Sequence, residues 1–171
     1  MKNNIKVSIL MTCFNASRFI EESINSIRNQ TYKNWELVII DDLSTDKTIK
    51  IIKKFNDRRI KLFPLKKHIG RTKALNYGLK KITSKFIAIH DADDLAHKNK
   101  IKIQVKFLND NKDILLVGTW IKLIDEKGKL IEFVKTDTTK DKIYRNMLVR
   151  NEGLDLDPRG KKRSLRNEGT T

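Results

Sequence analysis

Short apolar runs alternate along the chain with segments whose apolar residues recur every three or four positions. Ile5 to Met11 is the first run, followed by Phe19, Ile20, Ile24 and Ile27 at helical spacing. A continuous run of this length fits a strand buried on both faces, and the i, i+4, i+7 series fits the inner face of a helix. The pair then recurs. Leu37 to Ile40 predicts a second strand, and Ser44 with Asp46 predicts the cap and acidic first turn of a second helix carrying Ile49, Ile52 and Phe55. Ile60 to Phe63 predicts a third strand, Leu75, Leu79 and Ile82 a third helix, and Phe86 to Ile89 a fourth strand running directly into Asp91-Ala92-Asp93-Asp94. Ile101, Val105 and Leu108 predict a fourth helix. The alternation predicts the α/β class, a Rossmann-like and mainly parallel sheet with helices on both faces, because parallel neighbours require a crossover.

The pattern changes after the apolar run Ile114 to Val117. Trp120 to Ile124 and Leu130 to Val134 flank Asp125-Glu126-Lys127-Gly128-Lys129, which predicts a C-terminal hairpin excursion with glycine supplying the positive φ of the turn. Lys140 to Val149 predicts one more helix, with Ile143, Met147 and Leu148 on its inner side. From Asn151 onward there is neither an aromatic residue nor a usable periodicity. The expected organisation is one domain over 1–150 and a disordered or loosely attached basic tail over 151–171.

Composition narrows the classes further. The 171 residues suit a single domain, and 37 lysines and arginines against 21 aspartates and glutamates give a net charge of +16. Such a balance favours an anionic partner: a nucleotide, a phosphate-rich surface or nucleic acid. A nucleic-acid-binding module is the weaker of these readings, because the basic residues are scattered and the aromatics form no stacking series. No nucleic acid is expected as a partner. The single Cys13 excludes an intrachain disulfide and a cysteine-based zinc site, and it fits a reducing compartment. Val7 to Met11 is too short for a signal-peptide core, and no run approaches the roughly 18 apolar residues of a membrane span. The expected location is cytoplasmic, with the basic surface suited to peripheral association at the inner face of the membrane.

In an open α/β sheet, ligands bind outside the carboxyl ends of the strands. The polar clusters of this chain lie there. The first strand ends in Thr12-Cys13-Phe14-Asn15, the second in Asp41-Asp42, the third leads towards His68, Gly70, Arg71 and Lys73, and the fourth ends in Asp91, Asp93 and Asp94. Carboxylates converging on one edge repel unless a cation or hydrogen-bond donors share the site. Aspartate oxygens without cysteine select a hard divalent ion, Mg2+ or Mn2+, which commonly bridges to substrate phosphates. Taken singly, Asp41-Asp42 would serve equally as a turn and helix cap, and Asp91 to Asp94 as a polar loop. His68, His90 and His97 are not at metal-ligand spacing and read as ordinary loop or core residues.

These residues together resemble the N-terminal half of the family 2 glycosyltransferases of the GT-A fold. The resemblance runs through Val7 to Thr12 with Asn15, Ser26 to Tyr32, Trp35 to Asp42 and Ser44-Thr45-Asp46. It continues through Gly70, Arg71, Ala74, Asn76 and Gly78, the Asp91-Ala92-Asp93-Asp94 match to a DxD-type motif, and Val117-Gly118 to Gly128. It implies a glycosyltransferase that moves a sugar from a nucleotide-diphosphate donor, usually a UDP-sugar, to a hydroxyl of a saccharide or lipid-linked acceptor, commonly with inversion. In that reading Thr12 and Phe14 border the base, and Asp42 with Asp41 accepts its imide N–H. Arg71 or Lys73 approaches the base or diphosphate, and Asp91 lies near ribose and metal. Asp93 is the main metal-binding carboxylate, with Asp94 beside it. Cys13, Leu43, His68 and Lys98 depart from the family's usual residues at their positions. The family's general base, usually the aspartate of a Glu-Asp pair, has no counterpart, because no such pair follows Asp93 and the context of Asp141 and Glu152 does not match. The implied result is donor binding with little turnover by this chain alone. A haloacid-dehalogenase-like phosphatase also carries Asp-x-Asp after a buried strand, but Leu95 stands where it wants threonine or valine, and Asp41-Asp42 would go unexplained.

Overall fold

Alternate residues of the first strand face two different cores. In the computed structural model, which describes residues 5–125, 128–135 and 165–168, β1 (Val7–Cys13) is buried along nearly its whole length. Val7, Ile9, Met11 and Cys13 point to one face of the sheet, and Leu10 points to the other. β2 (Trp35–Asp41) lies beside β1 in parallel and repeats the division, with Trp35, Leu37 and Ile39 on the first face and Val38 and Ile40 on the second. β3 (Ile60–Pro64) and β4 (Phe86–Ile89) complete a four-stranded parallel sheet of order β3-β2-β1-β4.

The helices follow the apolar spacing. α1 (Ile20–Arg28) buries Ile20, Ile24 and Ile27 on the first face, with Glu21 and Glu22 in its first turn and Arg28 in its last, as the helix dipole favours. α2 (Thr48–Ile52) and α4 (Lys100–Asp110) lie on the same side, contributing Ile52, Ile101 and Val105. α3 (Arg71–Leu79) covers the second face. It does so with Ala74 and Gly78 rather than with the predicted Leu75–Leu79–Ile82 stripe: Leu75 is only partly buried, Leu79 is exposed and Ile82 follows the helix end. The physical reason is close approach, since a Cβ on Gly78 would stand 2.4 Å from Leu10 Cδ1 and 3.0 Å from Ile40 Cγ1.

A second sheet has the order β5-β8-β6-β7. β6 (Trp120–Ile124) and β7 (Leu130–Val134) form the expected antiparallel hairpin, and Gly128 takes φ +81° in its turn. β5 is Leu95–Ala96, and β8 (Leu165–Glu168) pairs parallel to it and antiparallel to β6. β8 falls within the expected tail over 151–171, and its pairing rests on backbone bonds that need no apolar pattern. The helix expected over 140–149 and the rest of the tail lie outside the described residues. The run Ile114 to Val117 forms no strand, and Leu115 and Leu116 stand 93% and 84% exposed. Among the described residues no helix is long and apolar enough to cross a membrane.

At the amino end of the sheet Glu36 is buried against the Ser8 hydroxyl (2.6 Å) and the ammonium groups of Lys61 (2.7 Å) and Lys6 (2.8 Å). Burial pushes its carboxyl upward, but the bonds from Lys6, Lys61 and Ser8 outweigh this and hold it at about 2 against an ordinary 4.5. A lowered folded-state pKa gives stability that is complete above the unfolded value and is lost as pH falls through the folded one. Acid titration of stability should therefore lose about 3 kcal/mol between roughly pH 4.5 and pH 2 through this group, and Glu36→Gln should flatten that part of the curve. Gly78→Ala should destabilise by about 1–3 kcal/mol in urea unfolding, because the new methyl overpacks Leu10 and Ile40.

Candidate functional site

The strand order runs outward from β1 in both directions, so the loops after β1 and β4 diverge and leave a crevice at their carboxyl ends. The loops lining it come from four connections. β1 supplies Thr12 and the half-exposed Phe14, β2 supplies Asp42, the β3–α3 connection supplies His68, Gly70 and Arg71, and β4 leads into Asp91 and Asp93. The cleft volume is about 660 Å³, within the range of small-molecule sites.

Asp42 is the most firmly held group in the cleft. Only 3% exposed, it accepts the Ile69 N–H on Oδ1 and the Gly70 N–H on Oδ2, each at 2.8 Å, while His68 Nδ1 lies 3.0 Å from Oδ2. Gly70 can present its N–H because it takes φ +82°, a region that L side chains avoid, immediately before α3 begins. The His68 ring lies 4.4 Å from the Phe14 ring, tilted by 43°, so an aromatic pair borders the carboxylate. The neighbouring loops are tied together by side chains. Asn15, itself at φ +49°, accepts the Thr45 N–H at 2.8 Å, and Ser44 Oγ accepts the Asn15 N–H at 2.9 Å. The Asp46 carboxylate accepts the N–H groups of Thr48 and Ser17 just before α2, whose N-cap is Lys47, so neither the expected Ser44 cap nor the acidic first turn is found. Leu43 adopts φ +66° where the chain leaves Asp42.

Asp41 does different work. As the last residue of β2 it faces inward with no exposed surface, and its carboxylate accepts the Ser44 N–H (2.9 Å) and the Cys13 thiol (3.5 Å). Burial first, and the Asp41 charge second, push the Cys13 thiol far above its ordinary range, which keeps it a donor. Asp94 is also buried, and its N–H bonds the Asp91 carbonyl at 3.1 Å. Lys100 is buried beneath it; burial pushes that ammonium's pKa down while the charges of Asp94 and Asp91 pull it up. Neither Asp41 nor Asp94 lines the cleft. Of the two candidate cations only Arg71 does: Lys73, two positions on and so about 200° around the helix, is exposed elsewhere. Sequence reading treated His68 as an ordinary loop residue. The available signal was its position two residues before the glycine that opens α3.

Asp91 is half-exposed and bonds Arg71 Nη2 at 2.7 Å, while Asp93 has no hydrogen-bond or ion-pair partner among the described residues. No group of three or more carboxylate, imidazole or thiol side chains gathers among the described residues to enclose a metal ion. Two aspartates with oxygen donors alone, opening on a cleft, suit Mg2+ or Mn2+ held by one or two carboxylates and completed by substrate phosphates and water.

A parallel sheet with helices on both faces and a cleft at the β1/β4 divergence defines an open α/β protein of the class that binds its ligands at such a switch point. The chain belongs to glycosyl transferase family 2, whose family model matches residues 8–158. It is 36% identical over 148 residues to the Escherichia coli UDP-Glc:alpha-D-GlcNAc-diphosphoundecaprenol beta-1,3-glucosyltransferase WfgD, covering 86% of this chain and 56% of that protein. It is likewise 36% identical over 156 residues to an uncharacterized glycosyltransferase of Haemophilus influenzae, covering 89% of this chain and 47% of the relative. Among solved structures it is similar to S. aureus TarS 1-349 in complex with UDP-GlcNAc, with TM-score 0.61, 29% identity and coverage of 63% and 32% of the two chains. The mannosyltransferase PcManGT of Pyrobaculum calidifontis, in complex with GDP-Man and Mn2+, aligns with TM-score 0.60 and 27% identity over 64% and 34%. The fold is that of these GT-A glycosyltransferases. The chain spans about half or less of the length of most of the relatives it matches.

Gly70 donates to Asp42 from a conformation that glycine alone adopts without strain, so Gly70→Ala should cost about 1–3 kcal/mol although the space beside its Cα is open. Chemical denaturation of the variant measures this directly.

Proposed function

We propose that this chain is the donor-binding part of a glycosyltransferase that moves a sugar from a nucleoside diphosphate, a UDP-sugar in the first instance, to an acceptor hydroxyl. The observation that carries the reading is the placement in one cleft of a buried, fixed acceptor (Asp42) and of a cation-ready pair, Asp91 and Asp93, beside Arg71. The Asp42 carboxylate is full of backbone donors but retains lone pairs for the imide N–H of a base, a charge-assisted bond worth about 1.5–3 kcal/mol. Phe14 and His68 offer ring faces beside it, and Thr12 lines the same end. Arg71, at the start of α3, is within reach of the diphosphate that this orientation brings towards Asp91. Asp91 and Asp93 would hold a divalent ion there, and its charge would stabilise the leaving diphosphate.

The chain's own contribution to the chemistry is to orient the donor and to exchange partners. Arg71 satisfies Asp91 in the ligand-free protein; with donor bound, Arg71 would pair with phosphate and leave the Asp91 carboxylate available to hold the ion. None of the cleft residues is assigned as the base that must come within about 3 Å of the acceptor hydroxyl. Donor binding with little transfer is the activity proposed for these 171 residues. The relative WfgD is named for a lipid-linked diphosphate acceptor, and an acceptor of that class, reached from the membrane face by a basic protein, is the proposed partner.

Calorimetric titration with UDP, GDP and ADP, each with Mn2+ or with chelator, tests the assignment. UDP should bind, and Mn2+ should tighten binding by about tenfold or more, equivalent to about 1.4 kcal/mol. Asp93→Ala should remove the Mn2+-dependent increment and leave the fold intact, because a carboxylate without partners among the described residues contributes little to packing. Absence of nucleotide binding, indifference to chelator, or tight binding of duplex DNA in its place would overturn the reading.

A further inference from the structure

The acidic turn is held from below by one polar seam on α1. Ser23, Ser26 and Gln30 are spaced i, i+3 and i+7, and each bonds the segment 90–101. Ser26 Oγ accepts the Ala96 N–H at 3.0 Å. Gln30, just past the helix end, donates to the His97 carbonyl at 2.8 Å and accepts the Ile101 N–H at 3.1 Å. Ser23 Oγ lies 3.1 Å from His90 Nε2 and donates to the Asp91 carbonyl at 3.3 Å. The same carbonyl accepts the Asp94 N–H, so it is the pivot of the turn.

Ser23 and Gln30 have no exposed surface and His90 is 2% exposed, on a helix face otherwise made of Ile20, Ile24 and Ile27. Buried polar groups in an apolar face are costly unless bonded, so this seam is a specific arrangement and not solvated surface. The Ser23 proton goes to the Asp91 carbonyl, which can only accept. With that proton committed, His90 Nε2–H is the donor to Ser23 Oγ, and Nδ1 has no hydrogen-bond partner among the described residues. The Asp91 side chain bonds Arg71 alone among the contacts above, so the direction of its carboxylate in the cleft follows from where its main chain is held.

We infer that His90 and Ser23 are positioning residues that fix the main chain at Asp91 and thereby aim its carboxylate at the metal and diphosphate. The inference rests on the donor-site reading above. Its test combines a ligand-free readout with a binding one. In the ligand-free protein, hydrogen exchange at the Asp94 amide should quicken by about tenfold or more in Ser23→Ala and His90→Leu, while the β1 and β2 amides keep their protection. In titrations with UDP, both variants should lose about tenfold of the Mn2+-dependent tightening, with affinity in chelator held within about twofold. His90→Gln, whose amide nitrogen can still donate to Ser23, should recover most of both effects, and nitrogen NMR of the wild type should show the Nε2–H tautomer.

Should His90→Leu fail to fold, Ser23→Ala carries both readouts alone. Unchanged exchange at the turn, an intact Mn2+-dependent increment in Ser23→Ala, equal losses with and without Mn2+, or a glutamine variant no better than leucine would each overturn the positioning role. A wild-type protein that binds UDP with no Mn2+ dependence would instead overturn the donor-site reading and, with it, the aim assigned to Asp91; the exchange experiment would still decide whether Ser23 and His90 hold the turn.

Discussion

The handedness of parallel crossovers fixes where the cleft can be. Right-handed connections carry β1 through α1 to β2, and β2 through α2 to β3, with both helices on one face of the sheet. To place β4 on the other side of β1, the chain must return over the opposite face, and α3 does so. The loops after β1 and β4 therefore part, and everything chemical in the described chain gathers where they do. The same reversal sets α1 directly beneath the β4 side of the cleft, where Ser23, Ser26 and Gln30 reach the acidic segment. The close seat of α3 depends on Gly78, so a packing requirement on the second face also governs where Gly70 and Arg71 stand.

Five aspartates near one sheet edge would seem to demand a cation, yet the protein resolves most of their repulsion by itself. Asp41 takes a backbone N–H and a thiol, Asp42 takes two backbone N–H groups, Asp94 is buried near Lys100, and Asp91 pairs with Arg71. Asp93 alone is left without a protein partner among the described residues. The demand for a metal is thus narrower than counting carboxylates suggests. On the proposed reading it falls on Asp93 and on the exchangeable Asp91, and the chain's net charge of +16 does not remove it because exposed charges are screened within about 10 Å.

Much of the fold was legible because strand and helix periods differ and each buried element declares its period. Val7 to Met11 and Ile20–Ile24–Ile27 sit where the pattern puts them, and Gly128 turns the hairpin. The pattern was incomplete where packing uses small residues: in α3 Ala74 and Gly78 are buried on the sheet, Leu75 packs only at their edge and Leu79 is exposed. At the site, the aspartates were visible as strand-end residues, but which of them face the cleft was not. That division is made by strand parity for Asp41 and by the backbone turn for Asp94, and both are set in three dimensions. His68 was hidden for the same reason, since its place beside Phe14 and Asp42 comes from a loop between β3 and α3.

On the proposed reading, the cleft divides the work of recognition by stiffness. Asp42 is buried and pinned by two main-chain donors, with a glycine conformation behind one of them, so its direction is paid for during folding and costs nothing when a base arrives. Arg71 and Asp91 are different: both are substantially exposed, and an exposed pair of this kind is worth about 1 kcal/mol or less. Such a pair separates readily when stronger partners enter. The rigid end therefore discriminates among bases, while the labile end accepts a metal and diphosphate without a large reorganisation cost. The buried Ser23–His90 seam lies between these regimes. It keeps the Asp91 main chain as fixed as Asp42 while leaving the carboxylate free to change partners, which is the combination that a metal-bridged leaving group requires.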